Sequence, residues 1–268
     1  AREAHWCARS PYGLVVLRHR EAGMLLRDRW LRQGSHAWPT HHDLQGSFTG
    51  FWRRSVIGQE GDKHWLLRRL ANEALSPAFA DSLKPDFDAI AADQVKAFSG
   101  EPVEFMEDFS IPFAGKAIAV LLGMGAENWR QISHDASDLG LAMGVECKRH
   151  EAVVNAACDR LTDLARDLIR RVRDGRDDSS YIARLTHRFD GDAGVDEQNL
   201  IDMIVISIFG GVDTTRSQLG LGMALLAEHP AEYRKLRADL SLVGATVEEF
   251  IRARPTTTWV TREATEDF

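Results

Sequence analysis

One helix-forming segment of this 268-residue chain constrains the fold more than any other feature. The pattern runs from about Asp196 to Glu228, which as an α-helix spans roughly 50 Å. The residues from Met203 to Val212 carry no charge. A helix that is apolar on all sides is buried in the protein interior, and this run is too short to cross a membrane. The pair His229-Pro230 ends the helix because proline cannot continue it. We therefore expect this segment to be the central helix of the fold and to be covered by protein on every side.

The rest of the chain predicts a mainly helical protein with a small β portion. Proline is scarce, and the short apolar run from Gly13 to Leu17 is typical of a strand. A long loop is predicted from Gly34 to Trp52, which is rich in Gly, Pro, His, Ser and Thr, and long loops in compact domains are often functional. Further helical patterns lie at about 20–31, 62–75, 85–98, 111–122, 126–143 and 150–173. The breaks between them are short, so residues 1–268 are expected to form a single domain.

Composition and charge exclude several classes of protein. Hydrophobic residues make up 44% of the chain and charged residues 27%, which is ordinary for a globular protein and excludes a disordered tail. A net charge of −7 argues against nucleic acid as a partner. No apolar run is long enough to span a membrane, and three scattered cysteines suit neither a disulfide framework nor a zinc ribbon. A reducing, cytoplasmic location is expected.

The central helix contains an unusual segment, Gly210-Gly211-Val212-Asp213-Thr214-Thr215. Two glycines inside a helix cost about 1 kcal/mol each relative to alanine, and a buried aspartate costs more unless it is paired. A threonine hydroxyl in a helix can bond back to the carbonyl four residues earlier. Such unfavourable choices predict a functional site where a large flat group approaches the backbone. The alternative is close helix packing at the glycines with a salt-bridged Asp213, and the segment alone leaves both open.

This segment resembles the oxygen-activating helix of the cytochromes P450, whose pattern is Ala/Gly-Gly-x-Asp/Glu-Thr-Thr/Ser. Three further motifs stand in the family's order along the chain. They are His64-x-x-x-Arg68, Glu249-x-x-Arg252, and Arg262 ahead of an acidic turn that ends at Asp267. Each alone is an ordinary pair or a lone residue, but four in order are hard to explain by chance. The resemblance covers essentially the whole chain and implies a cytochrome P450-like fold of the soluble bacterial type, built around the central helix.

The resemblance implies a haem-thiolate monooxygenase that binds haem b and inserts one oxygen atom from O₂ into a small organic substrate. Asp213 and Thr214 would form the catalytic pair that delivers protons to the bound oxygen. The haem would be contacted by Gly211 and, at its propionates, by His64, Arg68 and Arg262. The substrate pocket would include Phe209, Gly210, Thr257 and Thr258. Glu249 and Arg252 would form a structural ion pair.

One departure from the family concerns the iron ligand. The family places a cysteine thiolate on a loop well after the Glu-x-x-Arg helix, and no such loop occurs up to Phe268. Cys7, Cys147 and Cys158 lack that context and are interpreted as structural. We expect the ligand beyond Phe268, so that this chain provides no metal ligand and is incomplete at its C-terminus. The alternative is a haem-free P450-like protein that serves as a partner or activator without catalysis of its own.

The resemblance also indicates partners and a substrate-binding region. No flavin or nucleotide loop is present, so electrons are expected from a ferredoxin-type iron–sulfur protein and its reductase, with Lys63 and Arg69 free for docking. By resemblance, the substrate pocket is lined by residues from about 36–52, about 136–155 and Thr256–Trp259. The first of these contains four large aromatics, Trp38, Phe48, Phe51 and Trp52. They indicate either a bulky ring-bearing substrate or simply core packing.

Overall fold

The computed structural model describes residues 3–11 and 13–266, and these confirm a mainly helical fold with small sheets. Two antiparallel strand pairs are present in this part of the chain. Strand β1 (Cys7–Ser10) pairs with β2 (Gly13–Val16), and β3 (Leu31–Gln33) pairs with β4 (Arg262–Ala264). The second pair joins segments from opposite ends of the chain, with Leu31 opposite Ala264. Asp267, the last residue of the predicted acidic turn, lies outside the described residues.

The helices of the described residues are numbered in chain order. They are α1 (His19–Leu25), α2 (Trp38–His41), α3 (Ser47–Arg54), α4 (Gly61–Ala74), α5 (Pro77–Ser82), α6 (Lys84–Lys96), α7 (Ile111–Leu121), α8 (Trp129–Gly140), α9 (Glu151–Arg173), α10 (Tyr181–Asp190), α11 (Glu197–Glu228), α12 (Pro230–Ala238) and α13 (Val243–Ala253). A π-helical turn, Met106–Ser110, runs directly into α7. None of the helices in the described part of the chain is both long and apolar enough to cross a membrane.

Helix α11 is the predicted central helix, and its start is fixed by side chains. Asp196 and Asn199 form a capping box, in which the Asp196 carboxylate accepts from the Asn199 N–H at 2.8 Å and the Asn199 side-chain oxygen accepts from the Asp196 N–H at 3.2 Å. Such caps satisfy N–H groups that the first turn leaves without a partner. Lys63 on α4 donates to the same Asn199 oxygen at 2.6 Å. The cap therefore also holds α4 against the beginning of α11.

The expectation that α11 is buried on every side between Met203 and Val212 is correct for only part of that run. Met203, Ile208 and Val212 are buried in the core with helices α7, α8 and α9 around them. Gly210, in contrast, is exposed, and Phe209 and Gly211 are half-buried. The described residues leave one face of the helix open at this level. Core packing therefore explains only part of the uncharged run from Met203 to Val212.

The predicted loop from Gly34 to Trp52 is wrong, because α2 and most of α3 lie within it. Phe48, Phe51 and Trp52 stand at helical spacing and are almost fully buried in the core. Their burial outweighs the weak helix propensity of the residues around them. These aromatics are therefore core residues, as the second interpretation held. Gly46 adopts a φ of +89° where the chain turns into α3, a conformation that favours glycine.

Two predicted helices end or divide differently from the sequence pattern. The helix predicted at 20–31 stops at Leu25, and Leu31 belongs to strand β3, where pairing with β4 competes with helix formation. The helix predicted at 126–143 consists of α8 with a 3₁₀ turn at each end, Ala126–Asn128 and Leu141–Met143. In these 3₁₀ turns the backbone hydrogen bonds join residues three apart instead of four apart.

Candidate functional site

The glycines of α11 divide into those that permit close packing and one that faces open space. A Cβ at Gly211 would lie 2.3 Å from Cδ1 of Ile118, and a Cβ at Gly222 would lie 2.4 Å from the ring of Phe250. Neither position can hold a side chain without a shift of its neighbour. A Cβ at Gly210 would meet no atom within 4 Å among the described residues. The packing interpretation thus accounts for Gly211, and Gly210 rather than Gly211 borders the open face.

The open face can be located on the helix from these contacts. Phe209 and Asp213 lie on one flank, against α8, where a Cβ at Gly140 would be 3.8 Å from the Phe209 ring and 4.0 Å from the Asp213 carboxyl carbon. Gly211 lies on the opposite flank, against α7. With 3.6 residues per turn, Gly210 and Thr214 fall between the two flanks. Both are exposed. We call this surface of α11, centred on Gly210 and Thr214, the open face.

Thr214 and Asp213 both make hydrogen bonds of the types that the sequence predicted. The Thr214 hydroxyl donates to the carbonyl of Gly210, the back-bond expected for threonine inside a helix. The Asp213 carboxylate accepts from Nη2 of Arg216 at 2.6 Å and from its Nε at 3.1 Å. Arg216 also donates to the Ser137 hydroxyl on α8 at 2.7 Å. An acid and an alcohol therefore stand on adjacent residues beside the open face, with the acid ion-paired.

Arg216 and Ser137 are site residues that the sequence interpretation missed. Arg216 stands three positions after Asp213, and such i,i+3 pairs of opposite charge attract each other on a helix surface. That spacing was the available signal for the partner of Asp213. Ser137 lies on a different helix, and nothing in the local sequence indicates its contact.

The residues predicted to bind propionates are connected through the start of α4. Arg262 on β4 donates to the side-chain oxygen of Gln33 at 2.9 Å. The backbone N–H of Gln33 donates to the Glu60 carboxylate at 2.7 Å. Glu60 is the residue that precedes α4, and its carbonyl accepts from the N–H of His64 at 3.4 Å. This chain of contacts joins Arg262 to the end of α4 that carries His64.

His64 and Arg68 both have hydrogen-bonding capacity that the described residues do not use. The Nδ1 atom of His64 lies 2.8 Å from the carbonyl of Val56. A carbonyl only accepts, so Nδ1 carries the proton, and Nε2 has no hydrogen-bond partner in residues 3–11 and 13–266. Arg68 is exposed and makes neither a hydrogen bond nor an ion pair within the same residues. Lys63 and Arg69 differ, because Lys63 is bonded to Asn199 and Arg69 to Asp192 and Glu73. Neither side chain is free for docking, although both had been expected to be free.

A haem group is compatible with these residues on two observations of the structure. First, the open face at Gly210 leaves space that a side chain of any other residue would begin to fill. Second, the Arg68 guanidinium is without a partner among the described residues and suits an anionic group such as a carboxylate. Nε2 of His64 is also without one and would donate to such a group when both ring nitrogens carry a proton. Thr257 and Thr258, predicted to line the substrate pocket, are exposed and follow directly after Thr256. The Thr256 N–H donates to the side chain of Gln218, one turn beyond Thr214 on α11, at 3.3 Å.

Glu249 and Arg252 form an ion pair on α13 at 2.6 Å, with both side chains more than half exposed to solvent. The Arg252 guanidinium hydrogen-bonds to the Glu249 carboxylate and lowers its pKa. An exposed pair of this kind contributes little to stability because water screens it.

The cysteines show no sign of reactivity in the described residues. Burial raises the pKa of the Cys158 thiol on α9 to about 12, and burial also raises the pKa of Cys147. Both thiols therefore stay protonated at neutral pH, whereas a metal binds the thiolate. Cys7 lies half-buried in β1.

A cluster of three side chains on α8 has spacing suitable for a metal ion, with ligand atoms of His134, Asp135 and Asp138 within 4.8 Å of one another. Arg160 on α9 pairs with Asp135 at 2.6 Å and with Asp138 at 3.1 Å. The guanidinium thus already neutralises the two carboxylates, and we assign no metal to this cluster.

Comparison with known proteins gives consistent matches. The family model described as "Cytochrome P450" matches residues 139–268. Luteothin monooxygenase of Streptomyces thioluteus is 28% identical over 276 residues, an alignment that covers 100% of this chain and 66% of that protein. Putative cytochrome P450 141 of Mycobacterium tuberculosis is 28% identical over 208 residues, which cover 76% of this chain and 50% of that protein. The chain spans between half and two thirds of the length of these relatives.

Solved structures of similar fold were also found. The structure of P450BioI in complex with an acyl carrier protein ligated to hexadec-9Z-enoic acid has a TM-score of 0.89 at 20% identity, and covers 100% of this chain and 70% of that one. The structure of epothilone B-bound cytochrome P450epoK has a TM-score of 0.88 at 17% identity, with 100% and 69% coverage. At these identities the likeness concerns the fold alone.

Proposed function

We propose that this chain is part of a cytochrome P450, a haem-thiolate monooxygenase that inserts one atom of O₂ into a small organic substrate; the family match over residues 139–268 and the similarity to Luteothin monooxygenase support this. The observation that carries the proposal is the open face of α11. There an exposed glycine, Gly210, adjoins an alcohol, Thr214, and an ion-paired acid, Asp213. A helix interior has no structural use for an uncovered glycine, and the lack of a side chain at Gly210 leaves room for a flat cofactor and O₂.

In the proposed reaction, the residues of this chain handle protons. Haem with a thiolate ligand, when bound, supplies the activation of O₂. The Thr214 hydroxyl, which rests on the Gly210 carbonyl, can turn to hydrogen-bond a group bound over the open face. Asp213 can pass protons from solvent to Thr214, since it is half-exposed and would exchange its bond to Arg216 for one to water. Arg216, anchored on Ser137, holds the acid in place between transfers.

Three cationic or hydrogen-bonding groups are proposed to hold the propionates of haem b. Arg68 would bond to them directly, His64 would donate from Nε2 in its doubly protonated form, and Arg262 would reach them from β4. Charge-assisted hydrogen bonds of this kind are roughly twice as strong as neutral ones. The buried, protonated thiols of Cys147 and Cys158 support a thiolate ligand that comes from beyond Phe268.

By the resemblance to the family, a ferredoxin-type iron–sulfur protein with its reductase is proposed as the electron donor. No observation favours the alternative of a haem-free partner or activator protein. The two functions are separated by the absorbance spectrum of the protein encoded by the complete gene, reduced and treated with carbon monoxide. We expect a haem band at the position typical of thiolate ligation. A protein that contains no haem after expression with haem precursor would refute the proposal.

A further inference from the structure

The ring of His36 lies between two hydrogen-bond acceptors beside β3. His36 belongs to the 3₁₀ turn Ser35–Ala37, which follows β3 closely, and its side chain is 32% exposed. The Nδ1 atom of the ring lies 3.1 Å from the Gln33 carbonyl, and Nε2 lies 3.2 Å from the Glu263 carboxylate on β4. A carbonyl and an ionised carboxylate accept hydrogen bonds and donate none. Both contacts are therefore hydrogen bonds only when each ring nitrogen carries a proton.

The turn that carries His36 is anchored in the core. The indole N–H of Trp52 on α3 donates to the Ser35 carbonyl at 2.6 Å, and Trp52 itself is almost fully buried. We call Ser35–Ala37 the anchored turn. Because the anchored turn is held by a core residue, His36 approaches β4 from a fixed support.

The attachment of β4 to β3 relies in part on side chains. Each strand of this pair has three residues, and an isolated two-stranded sheet is marginally stable at best. The Glu263 oxygen that faces His36 is also 3.0 Å from Nη2 of Arg32 on β3. Arg262 adds its hydrogen bond to Gln33 across the same pair. Glu263 is thus the residue through which β4 contacts both β3 and the anchored turn.

The other charged groups near His36 line a cavity of about 310 Å³ that the His36 ring shares with them. The lining residues are Arg32, His36, Arg53, Gly58, Gln59 and Glu60. Arg53 donates to the Thr40 hydroxyl at 2.9 Å, and Glu60 accepts from the Gln33 N–H. Among the described residues, the charged group in contact with the ring is the Glu263 carboxylate. Arginine and glutamate side chains ordinarily keep their charge between about pH 5.5 and 8.5, whereas imidazole changes its charge in this range.

Loss of one proton from His36 changes the sign of one of its two contacts. A neutral ring has a lone pair on one nitrogen, and that lone pair then faces the oxygen of Gln33 or of Glu263. Attraction at that contact is replaced by repulsion between two acceptors. The contact with Glu263 also loses the charge on the ring, which is what makes such a hydrogen bond strong.

We propose that His36 is a pH-sensitive clamp, which holds β4 to the anchored turn when both ring nitrogens are protonated and releases it when one proton is lost. The clamp is closed at acidic pH and opens as the pH rises through the range in which imidazole titrates. Arg262 lies on β4, so the clamp also controls how firmly this residue is held beside Gln33. The role of Arg262 toward a propionate rests on the proposed function, but the clamp itself does not.

The test is a double-mutant cycle that reports the opening of β4 in the protein encoded by the complete gene. The variants are His36→Ala, Glu263→Gln and the double variant. Hydrogen exchange of the peptide that contains β4 is measured by mass spectrometry, and each rate is divided by that of the unstructured peptide at the same pH. At pH 5.5, we expect His36→Ala to lower the protection of β4 about threefold, but to have no effect when Glu263→Gln is present. At pH 8.5, it should have no effect in either background.

The matched control is a second cycle, Arg32→Ala with Glu263→Gln, which probes the same carboxylate with a partner that keeps its charge. Its coupling should be the same at both pH values, and circular dichroism confirms that every variant is folded. A coupling between His36 and Glu263 that is absent at pH 5.5, or equal at the two pH values, would overturn the proposal. An equal pH dependence in the Arg32 cycle would do so as well.

The carbon monoxide spectrum of the same samples separates this inference from the proposed function. A protein without haem whose His36–Glu263 coupling still disappears at pH 8.5 would refute the proposed function and leave the clamp intact. A protein with the thiolate-type band and no such coupling would refute the clamp alone.

Discussion

Gly210 and Gly211 are adjacent residues with different surroundings. Both cost helix stability through the backbone freedom that a glycine must lose. Gly211 is required because Ile118 occupies the place of its side chain, whereas nothing in the described structure occupies the place of a side chain at Gly210. Gly211 therefore serves packing, and Gly210 leaves space for the proposed ligand.

This difference predicts the stability of two alanine variants. Both changes carry the same gain in helix propensity, but Gly211→Ala also forces a Cβ to 2.3 Å from Ile118. We expect Gly211→Ala to be less stable than Gly210→Ala by about 1–3 kcal/mol, the usual cost of overpacking a core. Urea unfolding monitored by circular dichroism measures the difference. Equal stability of the two variants would show that the Ile118 side chain can shift without a cost in unfolding free energy.

Thr214 should matter for the use of oxygen rather than for the binding of haem. Thr214→Ala removes the hydroxyl that rests on Gly210, so proton delivery is impaired while the propionate contacts remain. We expect the product formed per NADH consumed to fall about tenfold, equivalent to about 1.4 kcal/mol, with a matching rise in peroxide. Thr214→Ser, which keeps a hydroxyl, is the control and should stay coupled. Unchanged coupling in Thr214→Ala would remove this residue from the proton path.

At the scale of single residues, the sequence predicted the kind of hydrogen bond or ion pair that a residue makes better than the neighbour that it faces. The threonine back-bond and a salt-bridged Asp213 both follow from rules that act within one helix, and both are observed. Which of two neighbouring glycines meets another helix depends on Ile118, more than ninety positions away in sequence. Local rules contain no information on such a contact.

Among the elements, α3 is one whose existence the sequence concealed, and an ion pair with a buried carboxylate fixes it to α11. Nε of Arg54 donates to the Asp202 carboxylate at 2.8 Å, and Gln198 donates to the same carboxylate at 2.9 Å. The two partners differ in environment, because the Asp202 side chain is 3% exposed and that of Arg54 is 45% exposed. The hydrogen bond to Asp202 raises the pKa of Arg54.

Removal of either partner should therefore have unequal effects. Arg54→Ala leaves a buried carboxylate with only Gln198 as a neutral donor, and we expect a loss of about 3–5 kcal/mol in unfolding free energy. Asp202→Ala leaves an arginine that can turn into water, and the loss should be about half as large. Chemical unfolding of both variants and of the double variant tests this. Equal losses in the two single variants would contradict the difference in environment, and additive losses in the double variant would mean that the pair does not act as a unit.

Helix existence was predictable wherever apolar residues recur at helical spacing over three or more turns, as in α4, α6, α7, α9 and α11. The short helices α2 and α3 were not, because residues such as Gly46, Ser47 and Thr49 are typical of loops. The helical form of α3 depends on burial of its aromatics against α9 and α11, a tertiary effect. The hydrogen bond between Thr256 and Gln218 is likewise long-range and was not foreseeable.

At the scale of the whole molecule, a buried thiol and a buried phenol make the stability of the fold sensitive to alkaline pH. The pKa of Cys158 is about 12 in the folded protein because of burial, compared with 9.0 for an ordinary thiol. The folded state thus retains a proton that the unfolded state releases. The associated stability is complete below pH 9 and is lost as the pH rises from about 9 to 12. Burial raises the pKa of Tyr181 as well, which acts in the same direction.

Cys158→Ala should therefore reduce the pH dependence of stability without abolishing it. One proton contributes a slope of about 1.4 kcal/mol per pH unit, so wild-type stability should fall more steeply than that of the variant by this amount between pH 9.5 and 11. The contribution of Tyr181 is common to both proteins and cancels. Unfolding free energies at three pH values give the two slopes. Parallel slopes would show that Cys158 ionises as freely in the folded as in the unfolded chain.

The pairing of β3 with β4 limits when during synthesis the three groups proposed to hold the haem propionates can come together. Arg32 and Glu263 face each other across 231 positions of sequence, and closing so long a loop costs at least about 5 kcal/mol of chain entropy. Contacts of this range form late in folding. Arg262 lies on the later strand and meets Gln33 only after that closure. On a ribosome, α4 with His64 and Arg68 would emerge some two hundred residues earlier than Arg262. Contact of the proposed haem with all three groups would therefore come only after β4 has been synthesised and has paired with β3.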